Sequence, residues 1–417
     1  MPFRIAQVSL HTSPLAPLGG REAGGMNVYV LELSCELARM GHHVDIFTRR
    51  DGDLPRVEEI EPRLRLVRID AGPARPLDKE DLVPLLDEFV DGARRFIAGD
   101  RASYDLLHSH YWQSARAGLL LAPELHVPHA VMFHTLGEVK NRARITEQEP
   151  ALRIAEERRA VAAADLIVTA SDHERDLLRR YYGAREARLA TVPCGVDIER
   201  FQALDRASCR RRLGLPLDAP VLIWVGRLEK LKGVDILIEA LAQLDERDFT
   251  LLVVGGDGRA RALKAELQQQ ASDAGLERNV RFVGAVPHED LPTYYSAADV
   301  CVVPSYYESF GLVAVEAMAC GVPVVASRVG GLMSTVTDGV NGYLIPWRCP
   351  EPFAEKLEVL LNNPELRANF SRSARISVER FRWRNVASQI AALYARAVDD
   401  YRARTGPSGH ETATLPG

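Results

Sequence analysis

The chain has 417 residues, too many for one ordinary hydrophobic core and suited to two domains of about 200 residues each. Hydrophobic residues make up 47% and charged residues 26%, a globular composition that excludes a disordered or fibrous chain. The formal net charge of −5 argues against a general nucleic-acid or anionic-membrane surface, and no apolar run reaches the ~18–20 residues needed to span a bilayer.

The N-terminal stretch Met-Pro-Phe-Arg-Ile-Ala-Gln-Val-Ser-Leu reads as a strand rather than a signal peptide, because it lacks a long apolar core. A cytoplasmic location is therefore expected. Cys35, Cys194, Cys209, Cys301, Cys320 and Cys349 include no Cys-x-x-Cys pair, so reduced, largely buried thiols are expected.

Short β-rich runs alternate with helix-period segments along the whole chain, the pattern of parallel α/β sheets. In the first half the predicted strands are Ile5–Leu10, Val44–Thr48, Leu64–Ile69, Asp105–His108, His129–Phe133, Leu166–Thr169 and Leu189–Val192. A helix over Met26–Met40 is predicted to stop at Gly41, as a C-terminal glycine should. Pro193–Phe201 reads as the linker between halves, and a polar stretch continues to about Pro220. The second half repeats the alternation with Val221–Val225, Thr250–Val254, Val280–Val283, Val300–Val303 and Val322–Ala326. Helical sequence runs from Phe353 to Tyr401, and the Gly-, Pro-, Ser- and Thr-rich tail is expected to be disordered. Two Rossmann-like halves would face each other across a cleft at the carboxyl ends of both sheets.

Four constellations could carry chemistry. Glu308-Ser-Phe-Gly-Leu-Val-Ala-Val-Glu316 places two carboxylates across a loop-to-helix junction between buried strands. Phe310, Gly311 and Leu312 would offer main-chain donors to a diphosphate, with the helix dipole behind them. Two surface acids beside an ordinary helix start are the alternative. Val225-Gly-Arg-Leu-Glu-Lys-Leu-Lys-Gly233 puts Arg227 and Lys232 over the end of another strand. There they could stabilise a departing diphosphate, or form a solvated basic turn. The loop Gly19-Gly-Arg-Glu-Ala-Gly-Gly-Met-Asn27 permits close backbone approach to a substrate, although it is neither a dinucleotide fingerprint nor a Walker sequence. Gly255-Gly-Asp-Gly258 reads as a strand-to-helix connector.

The fourth constellation is His11, His108, His110, His129 and His134 at predicted strand ends. His-x-His at 108 and 110 invites a metal, but it lacks a Cys or acid at ligand spacing, so no metal site is expected. His11 and His134 are read as cleft residues that hydrogen-bond sugar hydroxyls.

With these motifs assembled in order, the chain resembles the retaining glycosyltransferases of family 4, with the GT-B fold, over almost its whole length. The resemblance implies an N-terminal acceptor-binding domain at 1–195, a C-terminal nucleotide-sugar domain at 196–385, a helix at 386–403 crossing back to the first domain, and the tail at 404–417. It implies donor binding by Gly25, Arg227, Lys232, Glu308, Phe310, Gly311, Leu312 and Glu316, with Glu308 on the transferred sugar and Glu316 on the ribose. Arg227, Lys232, Glu308 and His134 form the implied catalytic set.

A narrower resemblance, to the D-inositol-3-phosphate glycosyltransferases and in part to the sucrose-phosphate synthases, rests on first-half motifs. These are His11-Thr-Ser-Pro14, Gly24-Gly-Met-Asn-Val-Tyr29, Leu77-Asp-Lys79, His108-Ser-His-Tyr-Trp112 and His134-Thr-Leu136. It implies an acceptor site of His11, Glu22, Asn27, Lys79, Tyr111, Thr135 and Arg153. Lys79, Tyr111, Thr135 and Arg153 match the positions that bind the acceptor's phosphate, and two cations with two hydroxyls suit a dianion. Arg21-Glu22 departs from the small-Gly-Asp stretch of the relatives.

The expected reaction moves a hexosyl unit from UDP-GlcNAc or UDP-glucose to a small phosphorylated acceptor such as inositol phosphate. Fructose 6-phosphate, an envelope glycan and a lipid-linked sugar are the alternatives. No cofactor is expected to enter the chemistry. Mg2+ is admitted beside the diphosphate but not as a catalytic ion, and relatives of this kind often form homodimers.

Overall fold

Among the described residues fourteen strands form two sheets, and both sheets are parallel except at one edge of the first. The computed structural model describes residues 2–16, 24–143, 148–256, 260–346 and 349–405. The predicted tail from 406 onward, Arg21 and Glu22, and Asp257 and Gly258 of the predicted connector lie outside those residues.

The first sheet contains β1 (Arg4–Val8), β2 (His43–Arg49), β3 (Val57–Glu61), β4 (Leu64–Ile69), β5 (Leu106–His110), β6 (His129–Met132), β7 (Leu166–Thr169) and β8 (Leu189–Thr191). Their spatial order is β3-β4-β2-β1-β5-β6-β7-β8. The second contains β9 (Val221–Val225), β10 (Thr250–Val254), β11 (Val280–Gly284), β12 (Val300–Val303), β13 (Val324–Ser327) and β14 (Gly342–Ile345), in the order β11-β10-β9-β12-β13-β14. The central strands β5, β9, β10 and β12 are short and buried along all or nearly all of their length, and the last three are mostly Val, Leu and Ile, as a sheet covered by helices on both faces requires. The chain reverses its direction of travel across the sheet between β1 and β5, and again between β9 and β12. Ligand crevices open at such points, outside the carboxyl ends of the strands.

The chain crosses between the two lobes twice, and the crossings are tied together. Val196 N–H donates to the Phe381 carbonyl at 2.8 Å, and Val196 forms a parallel bridge with Arg382. Gly195 packs so closely that a Cβ there would stand 2.3 Å from the Trp383 ring. From Trp383 the final helix, Trp383–Thr405, returns to the first lobe. It lays Val386, Ile390, Tyr394 and Val398 against the helix Gly25–Arg39. The Tyr394 hydroxyl meets His108 Nδ1 at 2.6 Å, and Arg402 and Arg404 reach Asp105 and Asp165 at 3.1 and 2.5 Å. The architecture is GT-B: two Rossmann-like lobes, with a C-terminal helix that belongs to the first.

The elements not predicted from the sequence include the edge strands β3 and β14 and the helix Arg206–Leu213, which lies within the stretch read as polar linker.

Candidate active site

Both crevices open into one cavity of about 360 Å³. Its second-lobe wall carries Arg227, Lys232, Glu308, Phe310, Gly311, Leu312 and Glu316, and its first-lobe wall carries His11, Gly25, Lys79, Tyr111, His134 and Thr135. Residues remote in sequence thus meet because each follows the carboxyl end of a strand or opens the next helix.

On the second-lobe side, glycines fix the loops by letting backbones touch. A Cβ on Gly233 would come within 2.1 Å of the Pro304 carbonyl oxygen, and one on Gly330 within 1.7 Å of that of Glu308. Gly233 and Gly330 also hold φ of 68° and 50°, where a side chain is strained. The first contact fastens the Lys232 turn to the strand end before Glu308, and Tyr306 N–H donates to the Leu231 carbonyl at 2.9 Å beside it. Lys232 Nζ then reaches Glu308 Oε2 at 2.6 Å. Replacing Gly330 with alanine is expected to cost about 1–3 kcal/mol and to raise the donor KM, because the Glu308 loop must shift. Urea unfolding together with donor kinetics checks this.

Leu312 opens the helix Leu312–Ala319 behind Gly311, which has φ of 93°. The N–H groups of Leu312 and Val313 lack intrahelical acceptors by geometry and stand at the cavity with the dipole's positive end, while that of Ala314 donates to the Gly311 carbonyl at 3.0 Å. The helix Gly25–Arg39 starts directly opposite: a Cβ on Gly25 would lie 2.9 Å from Leu312 Cδ1. Glu316 is held by two partners, His288 Nε2 at 2.9 Å and the donating Tyr295 hydroxyl at 3.0 Å. Its carboxylate is thereby fixed in orientation at the cavity wall. Arg227 Nη1 lies 2.8 Å from Glu229 at the cavity wall.

The first-lobe side carries backbone strain at two of its side chains. Tyr111 adopts φ 74° and ψ 161°, a region that is nearly glycine-only, and His134 has φ of 60°. Both follow strand ends, after β5 and β6, and the conformations turn their side chains into the cavity. Burial pushes His134 down to about 3. Burial also pushes His11 down to about 3, helped by His134, Lys79 and Arg153. Both rings are therefore neutral at pH 7, each with one donor and one acceptor nitrogen. His134 Nε2 pairs with His110 Nδ1 at 3.1 Å.

Arg153 does not line the cavity. It is 1% exposed, and its guanidinium pairs with Glu157 through Nε at 2.7 Å and with Glu149 through Nη1 at 2.8 Å. Nη2 donates to both the carbonyl and the hydroxyl of Thr135 at 2.9 Å, and the cation lies 4.8 Å from the centre of the Tyr111 ring. Arg153 therefore positions two wall residues from behind. Asn27 is likewise buried. It donates to Thr12 Oγ1 and the Ser13 carbonyl at 2.9 and 2.6 Å and accepts from Gly24 N–H at 3.0 Å, tying the helix start to the loop after β1. Glu22 lies outside the described residues.

Among the described residues, no group of three or more His, Cys, Asp or Glu is placed to hold a metal ion. His108 is committed to Tyr394, and His129 Nε2 to Ser109 at 2.8 Å. Several wall residues escaped the sequence reading, His288 and Lys140 among them. His288 could have been sought just beyond the carboxyl end of β11. Lys140 sits in a charged segment, Gly-Glu-Val-Lys-Asn-Arg-Ala, that reads as an ordinary solvated helix.

Two facing Rossmann-like lobes, with two helix starts and paired cations over one cavity, define a GT-B glycosyltransferase. The profile of glycosyl transferases group 1 matches residues 205–377, and that of Glycosyltransferase Family 4 matches residues 23–200. The D-inositol 3-phosphate glycosyltransferase 2 of Catenulispora acidiphila is 43% identical over 97% of this chain and 97% of its own. The D-inositol 3-phosphate glycosyltransferase of Streptomyces bingchenggensis is 42% identical over 96% of this chain and 91% of its own. Among solved structures, sucrose-phosphate synthase from Thermosynechococcus elongatus matches with a TM-score of 0.88 and 36% identity, covering 95% of this chain and all of its own. The chain belongs to family 4 of the glycosyltransferases and is a hexosyltransferase. No helix among the described residues is long and apolar enough to cross a membrane.

Proposed function

We propose that the enzyme moves a hexosyl unit from a UDP-sugar to a small phosphorylated polyol, with retention of configuration, and that inositol phosphate is the acceptor. In this reading residues 1–195 form the acceptor domain, residues 196–385 form the donor domain, and the helix at 386–403 returns to the first. The observation that carries it is the division of one cavity into two cationic faces. Arg227, Lys232 and two helix starts form a cradle for a diphosphate, and Lys79, Tyr111 and Thr135 face it from the first lobe. Relatives covering nearly the whole chain are named for D-inositol 3-phosphate, which favours that acceptor.

The chemistry follows from placement. As the bond between the sugar carbon and the diphosphate oxygen breaks, negative charge grows on that oxygen. Lys232, Arg227 and the N–H groups around Leu312 stabilise it. The acceptor hydroxyl attacks from the same face and passes its proton to the departing phosphate oxygen, so the products are glycosylated acceptor and UDP. Glu308, anchored by Lys232, binds hydroxyls of the transferred sugar, and Glu316 binds those of the ribose. Neutral His134 holds a sugar hydroxyl at the reacting centre. Closure of the lobes excludes water and limits hydrolysis of the donor.

Replacing Lys79 with alanine is expected to raise the KM for the phosphorylated acceptor by about tenfold to a hundredfold, the value of a charge-assisted contact. Steady-state kinetics with saturating donor measures it, and an unchanged acceptor KM would remove the phosphate-binding role. Fructose 6-phosphate is the second reading, favoured by the 36% identity to a sucrose-phosphate synthase. A UDP-release screen pairing UDP-glucose and UDP-N-acetylglucosamine with inositol phosphate and fructose 6-phosphate separates the two.

A further inference from the structure

The carboxylate assigned to the ribose is gripped by side chains that lead out of the cavity to the linker between the lobes. Glu316 is buried, and its two oxygens meet the Tyr295 hydroxyl and His288 Nε2. Tyr295 is itself fully buried in the helix Leu291–Ala297. His288 stands in the three-residue turn His288–Asp290 just beyond β11, so its ring is held by what packs on it. Two consecutive linker residues supply that hold. The Phe201 ring lies 5.1 Å from the His288 ring, centre to centre, and Arg200 Nη1 donates to His288 Nδ1 at 3.4 Å. Asp197 places both by folding the linker into a turn. Its carboxylate accepts from the N–H groups of Glu199 and Arg200 at 3.1 and 3.0 Å, and its carbonyl from that of Phe201 at 2.8 Å. The Arg200 guanidinium also reaches Asp197 Oδ2 at 3.4 Å and, on the first-lobe helix Gly25–Arg39, Glu32 Oε1 at 3.5 Å.

These partners assign the histidine's tautomer. A guanidinium has only hydrogens to give, so the His288 Nδ1 that faces it is the bare, accepting nitrogen. Nε2 then carries the hydrogen, and that is the form which donates to the Glu316 carboxylate. In the other tautomer a lone pair would face a carboxylate oxygen, and the contact would be lost. Arg200 thus acts on Glu316 through the ring between them, from a place off the cavity wall.

We propose that His288 is a positioning residue for Glu316 and that Arg200 fixes its tautomer, so that the linker between the lobes sets the grip on the donor's ribose. This rests on the reading of Glu316 as the ribose ligand. A carboxylate held at both oxygens presents its remaining lone pairs in one direction, and two vicinal hydroxyls can meet them without reorganisation. With His288 lost, Glu316 keeps Tyr295 alone and can swing about that single contact. The outer pair of Arg200 with Glu32 is long and part-exposed, so its own share is small, and the effect of Arg200 falls on the ring.

The test compares calorimetric affinities of the full chain for UDP and for 2′,3′-dideoxy-UDP, which lacks both ribose hydroxyls. The preference for UDP is expected to fall about tenfold in His288→Leu, through loss of UDP affinity alone, and about twofold to fivefold in Arg200→Leu. His288→Gln, whose amide can donate to Glu316 as Nε2 does, is expected to keep most of it. An unchanged preference in His288→Leu, or a loss shared equally by the two nucleotides, would overturn the positioning role. An unchanged preference in Arg200→Leu would overturn the tautomer link. Arg200 is 38% exposed, so that variant reports even if His288→Leu does not fold. Glu316→Ala separates the two readings. A wild-type preference there would defeat the ribose assignment itself, whereas a preference lost there but kept in His288→Leu would defeat only the role of His288.

Discussion

Replacing Lys232 with alanine is expected to lower kcat by about two to three orders of magnitude, with a much smaller change in donor KM. Lys232 is not a loose surface cation. Its turn is clamped to the end of β12 through Gly233 and the Leu231 carbonyl, and the Trp224 indole donates to its own carbonyl at 3.2 Å. Its ammonium touches Glu308 and stands on the wall that Arg227 and the start of Leu312–Ala319 share. A charge fixed before the reaction begins needs no reorganisation when the diphosphate departs, which is why its loss should fall on turnover. Lys232→Arg should recover part of the rate. A kcat within a few-fold of wild type would mean that the leaving group is stabilised elsewhere.

Replacing Arg153 with alanine is expected to cost about 3–5 kcal/mol of folding stability, because two buried carboxylates would lose their partner. Glu157 is fully buried and Glu149 nearly so. Lys140 alone would remain to Glu149, while Glu157 would keep only neutral donors. The urea midpoint measures the loss. The acceptor KM should rise too, since Thr135 loses both hydrogen bonds from Nη2 and Tyr111 loses the cation over its ring. The Glu149 contribution has a defined acid limit. Its pKa is depressed, so the stability it confers is complete above the ordinary carboxylate range and is lost as pH falls toward about 2. A variant as stable as wild type would contradict the burial argument.

Much of this arrangement was legible in the residues. The strands β4, β7, β9, β10 and β12 begin and end where they were read, and in β9 and β12 no polar residue blurs the limits of the buried run. The strand β3 was not, because Val-Glu-Glu-Ile-Glu at a sheet edge carries its charges outward and looks like a loop. The strand β14 is four residues opened by a glycine, pressed against the β13 backbone at Val324. The helix Arg206–Leu213 has almost no apolar face. It is held instead by Arg206 and Arg210 on the Asp299 carboxylate at 2.7 and 2.6 Å, a partner some 90 residues away.

The candidate site divides in the same manner. Residues that follow strand ends, such as Arg227, Lys232, Glu308 and Tyr111, announce themselves by position. Whether a side chain faces the cavity or stands behind its wall depends on tertiary partners, and so Arg153 and Asn27 could not be told from Lys79 in advance. One signal was present: Glu149, Arg153 and Glu157 recur at four-residue spacing, which predicts ion pairs about Arg153, with Glu157 on its own helix face and Glu149 just ahead of the helix Ala151–Ala163.

The central claim is that one cavity joins a diphosphate leaving group to a phosphorylated acceptor. The most direct measurement is the rate of UDP release from a UDP-sugar with inositol phosphate, with unphosphorylated inositol, and with water alone. The account predicts release that depends strongly on the phosphorylated acceptor, with the other two near background. Equal rates with inositol and inositol phosphate, or release that no acceptor accelerates, would contradict it.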